Sequence, residues 1–440
     1  MQPTVGFQRY LKNTSWLLAE KVISMMTILI VSVYMARYLG PDRLGLLSYS
    51  QSLVILFSPL AKLGFDHVLV RELVQDETRR DVLLGTCFLL QLAGALVACI
   101  ILGSSLAFTH SDAQTNVLIA IIGSSLLFQC FGVIDVYFQA KVLSKYAVTA
   151  RTVAGIIVPA IILVLVFVQA PLICFALAIL LQHLLTYALF VIAYFMQKLS
   201  ILQWRFDKKV GRQIMKNSWP LVFAGLMVVV YMRIDQIMLK NMADSTQVGI
   251  YVAAVRFSEV WYFFPLLVTQ SVFPAIVNAK RNDPLQYRQR MQQLYDVMTF
   301  VSLGIAVTLT FSASLLMERL YGQSYSGSDK VLAVHIWAGV IVFFGTTRGK
   351  WIIAENLQKK ALIVDITGAV LNVILNLILI PYYNALGAAI ATLLSYACTI
   401  LATSIAIKEF REPFVMYMKS FVHCVTLRTI RQLVAGKYFV

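Results

Sequence analysis

The sequence predicts an all-α membrane protein of about twelve transmembrane helices, arranged as two six-helix halves related by a pseudo-two-fold axis along the membrane normal. Three observations lead there. Of 440 residues, 59% are hydrophobic and only 13% charged, against roughly 45–50% and about 25% in a soluble domain. A single hydrophobic core stops growing near ~250–300 residues, so a chain this long and this apolar needs a bilayer as its solvent. Its apolar residues come in continuous runs, which excludes a transmembrane β-barrel with its alternating pattern. Lipid cannot satisfy an open backbone, so the runs are helices.

Twelve runs reach the ~20 residues that a span requires. They lie near 14–36, 44–65, 82–108, 116–138, 147–168, 172–196, 217–239, 249–277, 294–317, 331–353, 361–381 and 386–407. The first follows Arg9 and Lys12, as a signal peptide would. Glu20 and Lys21 interrupt it, no small-x-small cleavage site follows, and it runs on to Ala36, so it reads as an uncleaved span. Gly40-Pro41 stops it and Gly45 starts the second. Pro59 in the second span and Pro265 in the eighth fall at nearly corresponding places. Proline removes a helix hydrogen bond and bends the helix. Paired breaks point to a transport site or hinge, with a static kink as the alternative.

The longest loop, 197–216, is rich in Lys and Arg and sits at the midpoint. Around it the chain repeats. Lys12-Asn13-Thr14-Ser15-Trp16-Leu17 opens the first span and Lys216-Asn217-Ser218-Trp219-Pro220-Leu221 the seventh. Gly45 and Gly249 start the second and eighth, and Ala140 and Ala354 close the fourth and tenth. The expected division is 1–197, an N-terminal half; 198–216, a basic cytoplasmic linker; 217–410, a C-terminal half; and 411–440, a cytoplasmic amphipathic tail with a thirteenth span as its alternative. Two like-oriented repeats of this kind belong to transporters more often than to receptors or enzymes.

Orientation follows from the basic residues. With the N-terminus in the cytoplasm, 25 of the 37 Lys and Arg fall in cytoplasmic segments, five in external ones and seven in spans. The acidic residues sort as ten, five and six. Cytoplasmic segments are then net +15 and external ones net zero. The total of +16 is a topology signal with attraction to anionic headgroups. Its short basic loops give no footing for nucleic acid.

A charge inside a span costs ~2.5–3.5 kcal/mol on insertion scales and normally faces the bundle interior. Candidates for holding an anionic substrate are Arg256, Arg233, Lys21 and Arg151. Candidates for ion coupling, or for partnering those bases, are Glu259, Asp235, Glu20, Asp135 and Asp365. Arg256 and Glu259, at i, i+3, share a helix face. Arg233 and Asp235, two apart, point differently, so each needs a partner from another helix or water. Lys62, Arg348 and Lys350 stand near helix ends, where long side chains snorkel to headgroups. Interior salt bridges that only hold helices together are the plainer alternative for the whole set. Asn372 and Asn376, at i, i+4, suit hydrogen bonding between helices.

The chemistry of enzymes is missing. There is no GxxxxGK[ST] loop, no HExxH, no GxSxG and no GxGxxG after a strand. The six cysteines read as small core residues, and the five histidines lack metal-ligand spacing. No catalytic residue, metal or cofactor is expected. Energy for uphill movement has to come from an ion gradient, the membrane potential or substrate supply.

Ala36-Arg37-Tyr38-Leu39-Gly40-Pro41, then Gly45, Ser48-Tyr49 and Ser52, resemble the opening of the polysaccharide transport family. Leu63-Gly64-Phe65 followed by Val70-Arg71-Glu72-Leu73 extends the likeness. These are the O-antigen and exopolysaccharide-repeat flippases (Wzx type) of the multidrug/oligosaccharidyl-lipid/polysaccharide superfamily. The resemblance implies a flippase rather than an enzyme. It would move an undecaprenyl-pyrophosphate-linked oligosaccharide from the cytoplasmic to the periplasmic leaflet of a bacterial inner membrane, by alternating access coupled to an ion gradient. It implies a monomer among membrane lipids, serving lipopolysaccharide or other polysaccharide biosynthesis beside a polysaccharide polymerase and chain-length machinery. Arginine suits the pyrophosphate because its planar fork matches phosphate. No motif carries substrate residues over one by one. Two other readings are a cation-coupled multidrug exporter of the same superfamily and a membrane enzyme acting on polyprenyl-linked sugars. The latter lacks the external domain it would need.

Overall fold

The computed structural model describes residues 5–108, 112–426 and 429, and the side chains of all of these except 5–24, 107, 108 and 359. Among the described residues all regular structure is helical. The chain runs through α1 (Val5–Lys62), α2 (Asp66–Gln75), α3 (Arg80–Phe108), α4 (Ala113–Gly123), α5 (Val133–Ala140), α6 (Ser144–Phe167), α7 (Leu172–Met196) and α8 (Lys208–Met242). It continues through α9 (Ser245–Glu259), α10 (Phe263–Asn282), α11 (Pro284–Tyr321), α12 (Ser328–Ala354), α13 (Gln358–Ala406) and α14 (Arg411–Val425).

Ten segments of the described residues are long and apolar enough to cross a membrane. Two of them are double. Met25–Gln75 contains Gly40 at φ 72°, ψ 170°, and Lys360–Ala406 contains Asn384 at φ 50°, ψ −129°. Neither residue is helical, so each separates two spans, and the total is the twelve expected. Glycine takes a positive φ without strain, which is why Gly40-Pro41 was readable as a stop. Asn384 gives a weaker signal.

Two spans change their winding midway. Between α4 and α5 the chain tightens into a 3₁₀ helix over Ser124–Gly132. Between α9 and α10 it does so over Val260–Tyr262, and Pro265 sits just beyond, at the start of α10. Pro59 lies in the last turn of its helix, which ends at Lys62 before Leu63 and Gly64, both at positive φ. Long 3₁₀ runs are uncommon and often mark hinges. Cys87 and Cys130 are buried as expected, but Cys398 is exposed on α13.

The chain forms two compact units, Met1–Ile237 and Met238–Val440. The core of the first gathers Phe65, Leu69, Leu84, Ile134, Phe138 and Tyr194. The basic segment after α7 is docked on α3. The Arg205 N–H donates to Asp81 O at 3.1 Å and the Asp207 N–H to Thr86 Oγ1 at 3.0 Å. Gly85 permits this approach, since a Cβ there would lie 2.6 Å from the Arg205 nitrogen. Trp204 packs into the same core. The second core gathers Tyr287, Met291, Tyr295, Phe343, Phe344 and Tyr417. There α14 runs beside α11 in the same direction. Arg288 pairs with Glu412 (2.7 Å), Gln292 donates to Met416 O (2.9 Å), and Asp296 meets His423 (3.1 Å). Of the basic tail residues, Arg428, Arg431 and Lys437 lie outside the described residues.

Candidate functional site

In the first unit, α5 turns into α6 through Lys141, Val142 and Leu143. The Leu143 N–H donates to Phe138 O at 2.7 Å and the Val142 N–H to Gln139 O at 3.0 Å. This is a Schellman closure with its left-handed position filled by Val142, φ 55°. The hairpin brings Asp135 against Arg151, Oδ2 to Nη1 at 3.0 Å. Gln139 donates to the same oxygen at 3.1 Å. Lys141 itself pairs with Glu77, in the turn between α2 and α3. Asp66 and Tyr187 lie within electrostatic range of Asp135. A candidate anion holder and a candidate coupling acid are therefore each other's partner.

In the second unit, α12 turns into α13 through Glu355, Asn356 and Leu357. The Leu357 N–H donates to Ile352 O at 2.9 Å and the Asn356 N–H to Ile353 O at 3.3 Å, with Asn356 at φ 58°. Arg151 stands ten residues after Lys141, and Asp365 ten residues after Glu355. Asp365 thus occupies the place of Arg151, and the base acting on it is Arg348 of α12. Glu355 pairs with Lys280 of α10 at 2.8 Å and accepts from Tyr287 at 3.0 Å. Every sign is the reverse of the first turn.

Arg348 corrects the sequence reading. It does not snorkel; it is 5% exposed. Its guanidinium lies 5.4 Å from the Phe344 ring and 5.3 Å from the Phe410 ring, and its Nη1 donates to Thr403 Oγ1 at 3.4 Å. Phe410 is positioned from beyond α13, beside Glu409, which pairs with Lys360 at 2.7 Å. That hydrogen bond holds the Glu409 carboxyl below its ordinary range. One local signal existed, since Phe344 and Arg348 are i, i+4 and share a helix face.

The remaining candidates divide between the units. Asp235 of α8 is 3% exposed and Arg233 half-buried. Next to Asp235, Gln236 accepts from Ser52 at 2.7 Å, tying α8 to the second span. Arg256 and Glu259, both half-buried, stand one turn apart on α9. Arg256 lies within electrostatic range of Tyr325, and Glu259 within that of Tyr262. The side chains of Glu20 and Lys21 lie outside the described residues.

A buried polar seam, not anticipated from sequence except at its asparagines, crosses the second unit. Ser258 Oγ bonds His335 Nδ1 at 2.9 Å, and the Tyr251 ring stands edge-on to His335. The Tyr251 hydroxyl is 3.5 Å from Thr392 Oγ1. Ser395 donates to Thr392 O at 2.9 Å, Asn372 to Ser395 at 3.4 Å, and Asn376 to Asn372 at 3.0 Å. Such seams join helices where the apolar effect is weak. Among the described residues no group of three or more His, Cys, Asp or Glu is placed to hold a metal.

Comparison with known proteins fits this picture. The family model described as Polysaccharide biosynthesis protein matches residues 10–280. The probable flippase AglR of Haloferax volcanii is 28% identical over 170 residues, 38% of this chain and 35% of that protein. The probable low-salt glycan biosynthesis flippase Agl15 of the same organism is 25% identical over 191 residues, 43% of this chain and 40% of that protein. The matched region thus spans well under half the length of these relatives. Two solved structures share the fold along nearly the whole chain. The lipid II flippase MurJ, in an inward closed conformation, has a TM-score of 0.73 at 14% identity, covering 97% of this chain and 96% of that one. An inward-facing multidrug resistance MATE family transporter of the MOP superfamily has a TM-score of 0.65 at 12% identity, covering 92% and 95%. With a family match over more than half its length, this chain belongs to the polysaccharide biosynthesis protein family, and it shares its fold with membrane transporters.

Proposed function

We propose that this protein is a flippase that moves an undecaprenyl-pyrophosphate-linked oligosaccharide, a repeat unit of O-antigen or another surface polysaccharide, from the cytoplasmic to the outer leaflet of a bacterial inner membrane. The observation that carries the proposal is the family match, read with arginines held within the spans of an otherwise apolar chain. Arg256 and Arg233 are the proposed pyrophosphate contacts, because guanidinium offers phosphate two parallel hydrogen bonds. Lys21 and Arg151 are secondary candidates, Arg151 through exchange of its bond with Asp135. Glu259, Asp235, Glu20, Asp135 and Asp365 are the proposed acids for coupling to an ion gradient during alternating access.

Basic-residue placement supports a cytoplasmic N-terminus, with the halves 1–197 and 217–410 joined by a basic cytoplasmic linker and followed by an amphipathic cytoplasmic tail. The proposed working form is a monomer that hands its product to a polysaccharide polymerase and chain-length machinery. The fold likeness to MATE transporters favours drug export as a second reading. The mixed charge set weighs against it, since a cationic drug is better met by acids alone.

Deletion of the gene tests the first reading. Surface polysaccharide should disappear and the lipid-linked repeat should accumulate inside. Arg256→Ala and Arg233→Ala should each fail to restore it while inserting at normal levels. Unchanged glycan with altered drug resistance would instead support the exporter.

A further inference from the structure

We propose that the second unit carries a saccharide-binding cleft at the α11–α12 junction, distinct from the intramembrane charges. The proposal rests on the flippase reading for its sidedness and its ligand. Two adjoining cavities meet there. The larger, about 410 Å³, is lined by Ser314, Glu318, Gln323, Ser326 and Asp329. The smaller, about 180 Å³, is lined by Gln247, Ser326, Lys330, Tyr383 and Asn384. Ser326 belongs to both. The larger falls in the ~300–1,000 Å³ range of small-molecule sites.

The walls are built rigidly. The connecting loop is framed by Gly322 at φ 82° and Gly327 at φ 92°, conformations that L side chains resist. Tyr325 is 2% exposed, its ring 5.2 Å from that of Tyr321, and the Ser328 hydroxyl donates to Tyr325 O at 2.7 Å. On the other side, the Ala385 N–H donates to Gln247 Oε1 at 3.3 Å, beside the break at Asn384. A wall fixed before binding loses little entropy on binding.

The lining identifies the ligand class. Glu318 and Asp329 accept hydrogen bonds, Lys330 donates them, and Gln323 and the serines do both. An acyl chain would leave these groups unpaired. A simple anion would meet two carboxylates, and a bare cation would meet the Lys330 ammonium. A sugar ring offers several hydroxyls, each a donor and an acceptor, and a less polar face for Tyr383, which is 55% exposed. In the proposed orientation this cleft lies on the outer side, where the flipped headgroup arrives. It would hold the sugar there and bias transport forward.

The test uses the full chain in lipid nanodiscs, with the methyl glycosides of glucose, galactose and N-acetylglucosamine as probes in saturation-transfer NMR and calcium alone in calorimetry. Transfer to at least one glycoside is expected. It should fall about ten-fold in Gln323→Ala and in Asp329→Asn, as losing one or two hydrogen bonds implies. Gln323 is exposed and Asp329 half-buried, so a melting profile like the parent's is the control, and Glu318→Gln substitutes for a variant that misfolds. No transfer to any probe, transfer unchanged in every variant, or calcium binding without sugar binding overturns the cleft. In cells, the same variants should lower surface glycan. Full restoration by all of them overturns the cleft and leaves the flippase reading intact, whereas a deletion strain with normal glycan overturns the flippase reading itself.

Discussion

The α5–α6 turn and the α12–α13 turn share one backbone and carry opposite charges. Both close with the same pair of hydrogen bonds around a left-handed residue, Val142 in one and Asn356 in the other. In the first, the acid Asp135 precedes the turn and the base Arg151 follows it. In the second, the base Arg348 precedes and the acid Asp365 follows. The outer pairs invert too, Glu77–Lys141 against Lys280–Glu355. The fold therefore specifies the hairpin and opposite charges on its two sides, as an ion pair in the first unit and as a longer-range attraction in the second, while the sign is free. What differs is burial within the protein. The Asp135 and Arg151 side chains remain 20% and 29% exposed, whereas Arg348 is enclosed by two aromatic rings and a threonine.

That contrast ranks the consequences of breaking each turn. Arg348→Ala removes a positive charge that acts on Asp365 and empties the space between Phe344 and Phe410. A loss of about 2–5 kcal/mol is expected, as for a large buried side chain cut back to alanine, read as a lower melting temperature of the purified chain. Arg348→Lys should recover little, because a compact ammonium cannot stack as a guanidinium does. Asp135→Ala should cost less, about 1–3 kcal/mol, since the pair is only partly buried. The exchange Asp135→Arg with Arg151→Asp should restore most of it, giving this hairpin the sign order the other unit has natively. A double variant no better than the sum of its single changes would show that sign is fixed by surroundings rather than free.

The turns themselves offer a finer comparison. A β-branched residue at positive φ is an outlier, whereas asparagine tolerates it. Val142→Gly should raise stability by about 0.5–1 kcal/mol after the entropy of glycine is counted, while Asn356→Gly should change it little. Equal effects would mean that Val142 is not strained. Smallest is a pH effect on the Phe410 clasp. Glu409 has a carboxyl held below its ordinary 4.5, so its stabilising contribution is full above that value and is lost as pH falls through the lower folded value. Hydrogen exchange over 408–412 should be unaffected by acidity between pH 7 and 5, once the intrinsic rate is removed, and should quicken only below about 4.5.

Much of this was legible beforehand. The twelve spans followed from run length, and Gly40-Pro41 marked the first turn. The Ala140 and Ala354 match pointed to the two hairpins. The pairings were not legible. Asp135 and Arg151 sit on separate helices, and only the backbone of the turn sets them face to face. Arg348 was misread because depth along a helix says nothing about Phe410, which reaches it from beyond the following two spans. His335 carried no signal beyond its lack of metal-ligand spacing, since its partners Ser258 and Tyr251 are far off in sequence. The 3₁₀ stretch at Ser124–Gly132 has no composition that separates it from an ordinary apolar helix.

The decisive measurement is leaflet exchange in proteoliposomes. A fluorescent undecaprenyl-pyrophosphate oligosaccharide is placed in one leaflet, and its appearance in the other is read by a membrane-impermeant quencher. Exchange should require the protein, should quicken under an imposed ion gradient, and should be lost in Arg256→Ala. If the label crosses no faster than in empty vesicles, or crosses equally well with Arg256 and Arg233 both replaced, these arginines do not carry a pyrophosphate-linked sugar through the membrane.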